Sequence, residues 1–172
     1  MTHFFKRKLP ALLFSVMLSA GVQAQKAVKR FIKKYEQIAI ASMQKHSIPA
    51  SIILGVSIVE SAAGESAIAK ALRNFFGVKG KNLSSKEKLG YQSAYKEYAT
   101  DEASFEHFCQ ILMNKKFYVK IKSSTDYKLW LKEMNAASYA EAKQKWINKI
   151  TATIDKFELY KLDSPSFTVA LN

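Results

Sequence analysis

Glu60 is the residue whose type and surroundings could do acid–base chemistry. It is the only charged residue between Ser47 and Gly64. On a helix, Ile53, Val56 and Glu60 lie on one stripe, so we expect the carboxylate to face the same way as the core-forming side chains. Partial burial and the negative end of the helix dipole would both favour the protonated acid. Glycoside cleavage needs such an acid to protonate the leaving oxygen.

The spacing also permits a purely structural role for Glu60. Pro49 suits the first turn of a helix and Gly64 suits its end, so Glu60 could be an ordinary glutamate at the exposed end of a core helix. Structural carboxylates outnumber catalytic ones. From spacing alone, the structural interpretation is therefore favoured.

The first 24 residues have the pattern of a secretory signal peptide. Lys6, Arg7 and Lys8 precede an apolar, uncharged segment that ends in Val22-Gln-Ala24. The small residues predict cleavage after Ala24, and the apolar run is short for a membrane anchor. We expect an exported chain, secreted or periplasmic at the cell envelope, with no transmembrane segment after cleavage.

Charge and composition narrow the classes of partner. Removing the leader takes away three positive charges and no acid, so the formal charge falls from +13 to +10. A lysine-rich exported chain indicates a polyanionic partner such as an anionic cell-wall surface. Arginine is scarce, so a nucleic-acid partner is not expected. Cys109 is the only cysteine and lies on a helical core stripe, which predicts an inert buried thiol. No residues stand at metal-ligand spacing, and neither a cofactor nor a metal is expected.

The pattern of the chain predicts a mainly α-helical fold. Cap residues mark several helix starts, and a small hairpin could lie between Val78 and Tyr98. We expect one monomeric domain over residues 25–163 and an extended tail over 164–172. The predicted helices cover residues 27–45, the segment from 49 to before 64, 67–72, a helix from 100, 125–134, and a helix from a capping box at 138–141 to 159. The predicted core comprises Phe31, Tyr35, Ile38, Ile53, Val56, Phe105, Phe108, Leu112, Trp130, Ile147 and Ile154.

Three blocks of sequence stand out: residues 49–61 (PASIILGVSIVES), 64–69 (GESAIA) and 74–80 (NFFGVKG). Together they resemble the glucosaminidase domain family, glycoside hydrolase family 73. The family pattern joins a hydrophobic helix ending in Glu-Ser to a Gly-x-Ser segment and then to an Asn-Phe-Phe-Gly-Ile-Lys-Gly type of loop. Weaker similarities follow at residues 95–98 (YKEY), 104–107, 139–140 and 146–163, where the last resembles the closing helix of the family.

The resemblance implies a lysozyme-like fold, an exported location and cleavage of peptidoglycan after N-acetylglucosamine. It carries the catalytic general acid onto Glu60, which reverses the preference drawn from spacing alone. Asn74, Tyr98 and Tyr139 become candidate substrate-binding residues. Asn74 could orient its loop over the sugar cleft or simply adopt a left-handed turn. Each tyrosine could line the cleft or be a half-buried core residue.

The segment between Gly80 and Tyr95 departs from the family pattern. Many relatives carry a longer β-hairpin there, with a second glutamate proposed to handle the water. Glu87 is the only acid in this interval and is the possible second carboxylate, while Glu97 is an alternative. The short segment predicts a reduced or absent β-lobe.

Three functions remain open at this point. The first is a peptidoglycan hydrolase of the endo-β-N-acetylglucosaminidase type. The second is a lytic transglycosylase, which would use the same acid but release an anhydro-sugar. The third is a non-catalytic wall-binding module, favoured by the short segment and the many lysines.

Overall fold

The computed structural model describes residues 9–137 and 143–164, and their regular secondary structure is helical. The mainly α-helical prediction is confirmed, with a β-lobe reduced, within these residues, to one isolated antiparallel bridge between Lys79 and Tyr95. The helices of the described residues are α1 (Leu9–His46), α2 (Ala50–Ser61), α3 (Ala67–Leu72), α4 (Ser85–Leu89), α5 (Asp101–Met113), α6 (Tyr118–Ile121), α7 (Tyr127–Ala136), α8 (Lys143–Lys156) and a 3₁₀ helix, Leu159–Asp163.

Helix α2 is the central element of the domain. Every residue from Ala50 to Ile58 is buried, as expected for a helix that is apolar on all sides. At Gly55 the neighbouring helix α8 comes so close that an added Cβ would lie 2.8 Å from Cγ1 of Ile154. Because α2 is surrounded by other elements, the residues in its last turn have a well-defined position.

An aromatic cluster ties α1 and α5 to the loop after α3. The Phe31 and Tyr35 rings of α1 have centroids 4.5 Å apart, and the Tyr35 and Phe105 rings stack at 5.2 Å. Phe75, from the loop, lies 5.8 Å from Phe31 in an edge-on arrangement. Such aromatic pairs add to the stabilisation that comes from burial alone. The cluster therefore anchors the loop that faces Glu60.

The predicted core is largely confirmed. Nine of its eleven residues are buried, whereas Ile38 and Ile147 are only partly buried at its edge. Cys109 is fully buried, and burial raises the pKa of its thiol to about 12. This setting keeps the thiolate, the reactive form, scarce.

The starts of α3 and α5, which each carry a side-chain cap, were predicted correctly. The Ser66 hydroxyl accepts a hydrogen bond from the Ala69 N–H, and the Thr100 hydroxyl accepts one from the Ala103 N–H. For α7 the cap is Asp126 and the helix is Tyr127–Ala136, two residues later than expected.

Three other predicted boundaries were wrong. Helix α1 includes residues well before 27 and is helical from Leu9, the first described residue, because the apolar segment continues into the amphipathic one and Gly21 does not interrupt the helix. Helix α4 occupies part of the segment expected to be irregular or a hairpin. Helix α8 ends at Lys156, before the left-handed residue Glu158, rather than running to 159. The capping box at 138–141 and the tail at 165–172 lie outside the described residues.

The 3₁₀ helix supplies the cap of α2 from far along the chain. Asp163 accepts hydrogen bonds from the Ser51 backbone N–H at 2.9 Å and from the Ser51 hydroxyl at 2.5 Å. Asp163 is only 7% exposed, and this burial raises its pKa from 3.8 to about 6, although the Ser51 bonds act in the opposite direction. The buried acid therefore titrates nearer neutrality than an ordinary aspartate.

Asp163→Asn is expected to change how stability depends on pH. A raised pKa in the folded state stabilises the fold below about pH 4, and this stabilisation is lost as the pH rises through 6. The free energy of unfolding of the native protein should thus fall relative to the variant by roughly 2 kcal/mol between pH 4 and 7. Urea denaturation of both proteins across this range measures the difference. A constant difference would show that Asp163 does not titrate there.

Within residues 9–137 and 143–164, the helices contain no stretch both long and apolar enough to span a lipid bilayer.

Candidate active site

Glu60 lies in the last turn of α2, and two left-handed residues end the helix directly after it. Ala62 has φ 52° and Ala63 has φ 54°. Ser61, fully buried, donates its hydroxyl to the Ser57 carbonyl and accepts the Gly64 N–H. Ser61 thus satisfies backbone groups at the helix end. The turn fixes where α2 stops and where Glu60 projects.

A strong partner of the Glu60 carboxylate comes from α8. The indole N–H of Trp146 donates a hydrogen bond to Oε1 of Glu60 at 2.6 Å. The other oxygen, Oε2, faces the backbone of Gly77, where an added Cβ would lie only 3.5 Å away. That same Cβ would lie 3.9 Å from the half-buried ring of Tyr95. Three separate parts of the chain therefore meet at Glu60.

Glu60 is more exposed than its helical stripe predicted. Ile53 and Val56 are fully buried, but the side chain of Glu60 is exposed. The stripe points inwards only as far as other elements cover it, and Glu60 lies beyond that cover. The side chain of Glu60 as a whole is therefore less covered than the stripe predicted, although its bond to Trp146 is partly buried.

Asn74 binds its own loop together. Its amide N–H₂ donates to the carbonyls of Val78 and Lys96, both at 2.8 Å, and its Oδ1 accepts the Val78 N–H at 3.0 Å. Asn74 is only 2% exposed, and it is not among the residues with positive φ. Its amide is used on backbone groups, so Asn74 positions the loop that carries Gly77 rather than presenting its own side chain at the surface.

Of the two tyrosines predicted to bind substrate, Tyr98 is within the part of the chain that the structure describes. Tyr98 is buried, and its hydroxyl hydrogen bonds to Nδ1 of His107 at 2.7 Å. Burial raises the Tyr98 pKa to about 12, and burial lowers the His107 pKa, so a neutral pair is favoured. Tyr139 lies outside the described residues. Phe75 and Phe76 are buried, as expected for core residues.

The two acids between Gly80 and Tyr98 have different surroundings. Glu87 is exposed in the first turn of α4. The carboxylate of Glu97 accepts bonds from the Lys88 ammonium, from the Ser84 hydroxyl and from two backbone N–H groups. The Lys88 bond, followed by the Ser84 bond, lowers the Glu97 pKa to about 2. Glu97 thus holds the loop before α4 in place and stays ionised.

Two features of the site went unpredicted. In the sequence, Trp146 stands out only as the first residue of the weak similarity at residues 146–163, and Tyr95 only as the first residue of the one at 95–98. Trp146 is one of two tryptophans in the chain, and its N–H is a donor that must find a partner when buried. That requirement is a signal, but it does not identify the partner.

A groove of about 660 Å³ passes Ala63, Gly64 and Glu65, directly after the end of α2. The residues that line it do not include Glu60, Gly77 or Trp146. Among the described residues, no group of three or more His, Cys, Asp or Glu side chains is arranged to hold a metal ion.

Comparisons with known proteins agree on one family and one fold. The family model described as mannosyl-glycoprotein endo-beta-N-acetylglucosaminidase matches residues 36–159. The exo-glucosaminidase LytG of Bacillus subtilis (strain 168) is 24% identical over 184 residues, which is 93% of this chain and 65% of that protein. This chain thus spans slightly less than two thirds of the length of that relative.

Two solved structures share the fold. The catalytic domain of the autolysin Auto from Listeria monocytogenes aligns with a TM-score of 0.65 and 22% identity, covering 80% of this chain and 88% of that one. The glycoside hydrolase domain of FlgJ from Salmonella typhimurium aligns with a TM-score of 0.58 and 15% identity, covering 84% and 97%. These similarities confirm the lysozyme-like fold.

Proposed function

The chain belongs to the glucosaminidase family, whose model matches residues 36–159, and from this premise we propose that it is a glycoside hydrolase that cleaves peptidoglycan after N-acetylglucosamine. Glu60 is the general acid in this proposal. The contact that supports this role best is the 2.6 Å hydrogen bond from the Trp146 indole to Oε1 of Glu60. Because Oε1 accepts the Trp146 N–H, the proton of neutral Glu60 is carried by the other oxygen, Oε2.

In the proposed reaction, Oε2 of Glu60 transfers its proton to the glycosidic oxygen as the bond breaks. Negative charge then grows on the carboxylate, and the Trp146 bond to Oε1 becomes stronger because its acceptor becomes charged. An interaction that strengthens along the reaction lowers the barrier. A glycan in the site would also cover the exposed carboxyl and exclude water, which favours the neutral acid before transfer.

The group that attacks the sugar in the second half of the reaction is inferred from the contacts that the other acids make. Glu97 is tied to Lys88 and Ser84, so we do not assign it a role in attack on the sugar. We propose that the substrate's own acetamido group attacks, or that tyrosine and backbone groups hold the attacking water. Glu87, exposed on α4, is the alternative as the possible second carboxylate.

Digestion of purified wall, followed by mass spectrometry of the soluble products, tests this proposal. New reducing ends on N-acetylglucosamine are expected. Anhydro-muramic products would instead indicate the lytic transglycosylase, and retained wall binding without cleavage would indicate the binding module. Products longer than one sugar would support the endo mode. Retention of anomeric configuration in the fresh product would support acetamido attack, and inversion would indicate a base-activated water.

We also propose that the enzyme works outside the cytoplasm, in the cell envelope or beyond it. Three cationic residues followed by an uncharged apolar stretch support a secretory signal peptide over residues 1–24. The formal charge of +10 on the remainder would favour its retention at an anionic wall. N-terminal sequencing of the exported protein should begin at Gln25. An exported chain that still starts at Met1 would contradict this processing.

We further propose that Tyr98 and Tyr139 contribute to sugar binding, Tyr98 by shaping the wall of the cleft, and that Asn74 acts through the loop it holds. The protein should act as a monomer on peptidoglycan glycan strands. Sedimentation velocity would expose a stable oligomer.

A further inference from the structure

A basic groove lies between α1, α3 and the start of α5, and the proposed catalysis does not use it. It is the groove of about 660 Å³ that passes residues 63–65. Four cationic side chains line it: Arg30 and Lys34 from α1, Lys70 from α3, and Arg73 at the end of α3. Two of the three arginines in the chain are thus found in this one place.

The acids of the basic groove already have partners. Glu65 is paired with Lys70 at 2.6 Å and with Arg30 at 3.6 Å. Asp101 accepts bonds from the Lys34 ammonium at 3.1 Å and from the Tyr35 hydroxyl at 2.7 Å. Four cations against two acids leave a formal charge of +2 in the groove. A net positive, partly enclosed groove attracts anionic groups.

Arg73 is the cation best placed to meet a ligand. Its side chain is exposed, and it makes no salt bridge within the described part of the chain. Its backbone is left-handed, with φ 52° and ψ 33° at the end of α3, where glycine or asparagine would be less strained. A guanidinium pairs with a carboxylate through two parallel hydrogen bonds.

The basic groove lies within reach of a glycan held at Glu60. Ala63 lines the groove and follows Glu60 by three residues, so their Cα atoms are at most about 11 Å apart. The rings of Phe31, Tyr35 and Phe75 lie beneath the groove, and each is only 4% exposed. The groove therefore offers a ligand mainly its cations, and an occupant that carries carboxylates would match them.

We propose that the basic groove binds carboxylate groups of the peptides attached to the glycan strand. This inference rests on the proposed function, because it takes the glycan to lie against Glu60. The peptide carboxylates pair with the guanidinium groups of Arg73 and Arg30. The groove would then select peptide-bearing glycan over bare glycan.

Binding to soluble glycan fragments tests the proposal without requiring cleavage. Three proteins would be prepared, all of which carry Glu60→Gln. The first has no other change, the second adds Arg30→Gln and Arg73→Asn, and the third, a control, adds Lys120→Gln and Lys132→Gln. Asparagine tolerates the left-handed backbone at position 73, and Lys70 still pairs with Glu65 after Arg30 is changed. Both control lysines are exposed and lie outside the groove, so the control removes the same net charge.

Each protein would be titrated calorimetrically with peptide-bearing fragments and with the same fragments after enzymatic removal of their peptides. The arginine variant should bind the peptide-bearing fragments at least about tenfold more weakly and the stripped fragments unchanged, while the control pair retains both affinities. Equal losses of affinity for both ligands would overturn the proposal, since the groove would then bind the glycan itself or any anion. An unchanged affinity, or the same loss in the control pair, would overturn it as well.

The binding experiment and the digestion of wall by the native protein test the two proposals separately. If the native protein cleaves no wall but the peptide-dependent loss of affinity remains, the proposed function fails and the groove assignment stands. If cleavage is found but the arginine variant binds both ligands normally, the groove assignment alone fails.

Discussion

Replacement of Glu60 by glutamine is expected to lower the rate of wall cleavage by about 10²–10⁴-fold, the usual contribution of a general acid. Glutamine has nearly the same shape, and its Oε1 can still accept the Trp146 N–H. It cannot, however, deliver a proton to the leaving oxygen. Release of soluble fragments from purified wall, followed over time at saturating wall concentration, measures the loss.

Folding and wall binding should be unaffected in Glu60→Gln. The side chain is exposed in the last turn of α2, where the helix dipole disfavours a negative charge. The variant should therefore be at least as stable as the native protein in thermal unfolding. Glu133→Gln is a matched control, because Glu133 also lies in the last turn of a helix, α7, and has no place in the site. Activity of Glu60→Gln within a few-fold of native would exclude Glu60 as the acid, and a large loss of stability would indicate a structural role instead.

Local signals in the sequence predicted the structure correctly where it depends on hydrogen bonds between residues close together in the chain. Ser66 and Thr100 each cap a helix through a hydrogen bond to the third residue onward, so their type and position predict the helix start. The same holds for Ser61, whose partners are Ser57 and Gly64. The apolar stretch before Glu60 correctly predicted a buried helix.

Contacts between distant parts of the chain could not be predicted in this way. Trp146 and Glu60 are 86 residues apart, and Asp163 caps α2 through Ser51 from 112 residues away. A helical stripe gives the direction of a side chain but not the extent of the elements that cover it, which is why the burial of Glu60 was overestimated. The resemblance to a family pointed to Glu60 as the candidate acid, whereas its hydrogen bond to Trp146 became visible only in the folded chain.

Replacement of Trp146 by phenylalanine is expected to give the second-largest effect on activity. Phenylalanine retains the aromatic ring of a residue that is 6% exposed, but it removes the N–H that bonds to Oε1 of Glu60. A hydrogen bond to a charged group contributes about 1.5–3 kcal/mol, and here the charge develops only as the proton leaves. The loss should therefore appear as a kcat lower by roughly 10–100-fold, with KM little changed.

Trp130→Phe separates this effect from the general cost of losing an indole. Trp130 is fully buried, and its N–H donates to the Ser124 carbonyl at 2.8 Å. Trp130→Phe should lower the free energy of unfolding while the folded protein keeps its kcat. If Trp146→Phe instead raised KM at constant kcat, Trp146 would be a surface for the sugar rather than a partner of the acid. If both variants lost stability and kcat together, the bond to Glu60 would be no more than part of the packing between α2 and α8. A bond that strengthens as the acid ionises should instead lower kcat without lowering stability.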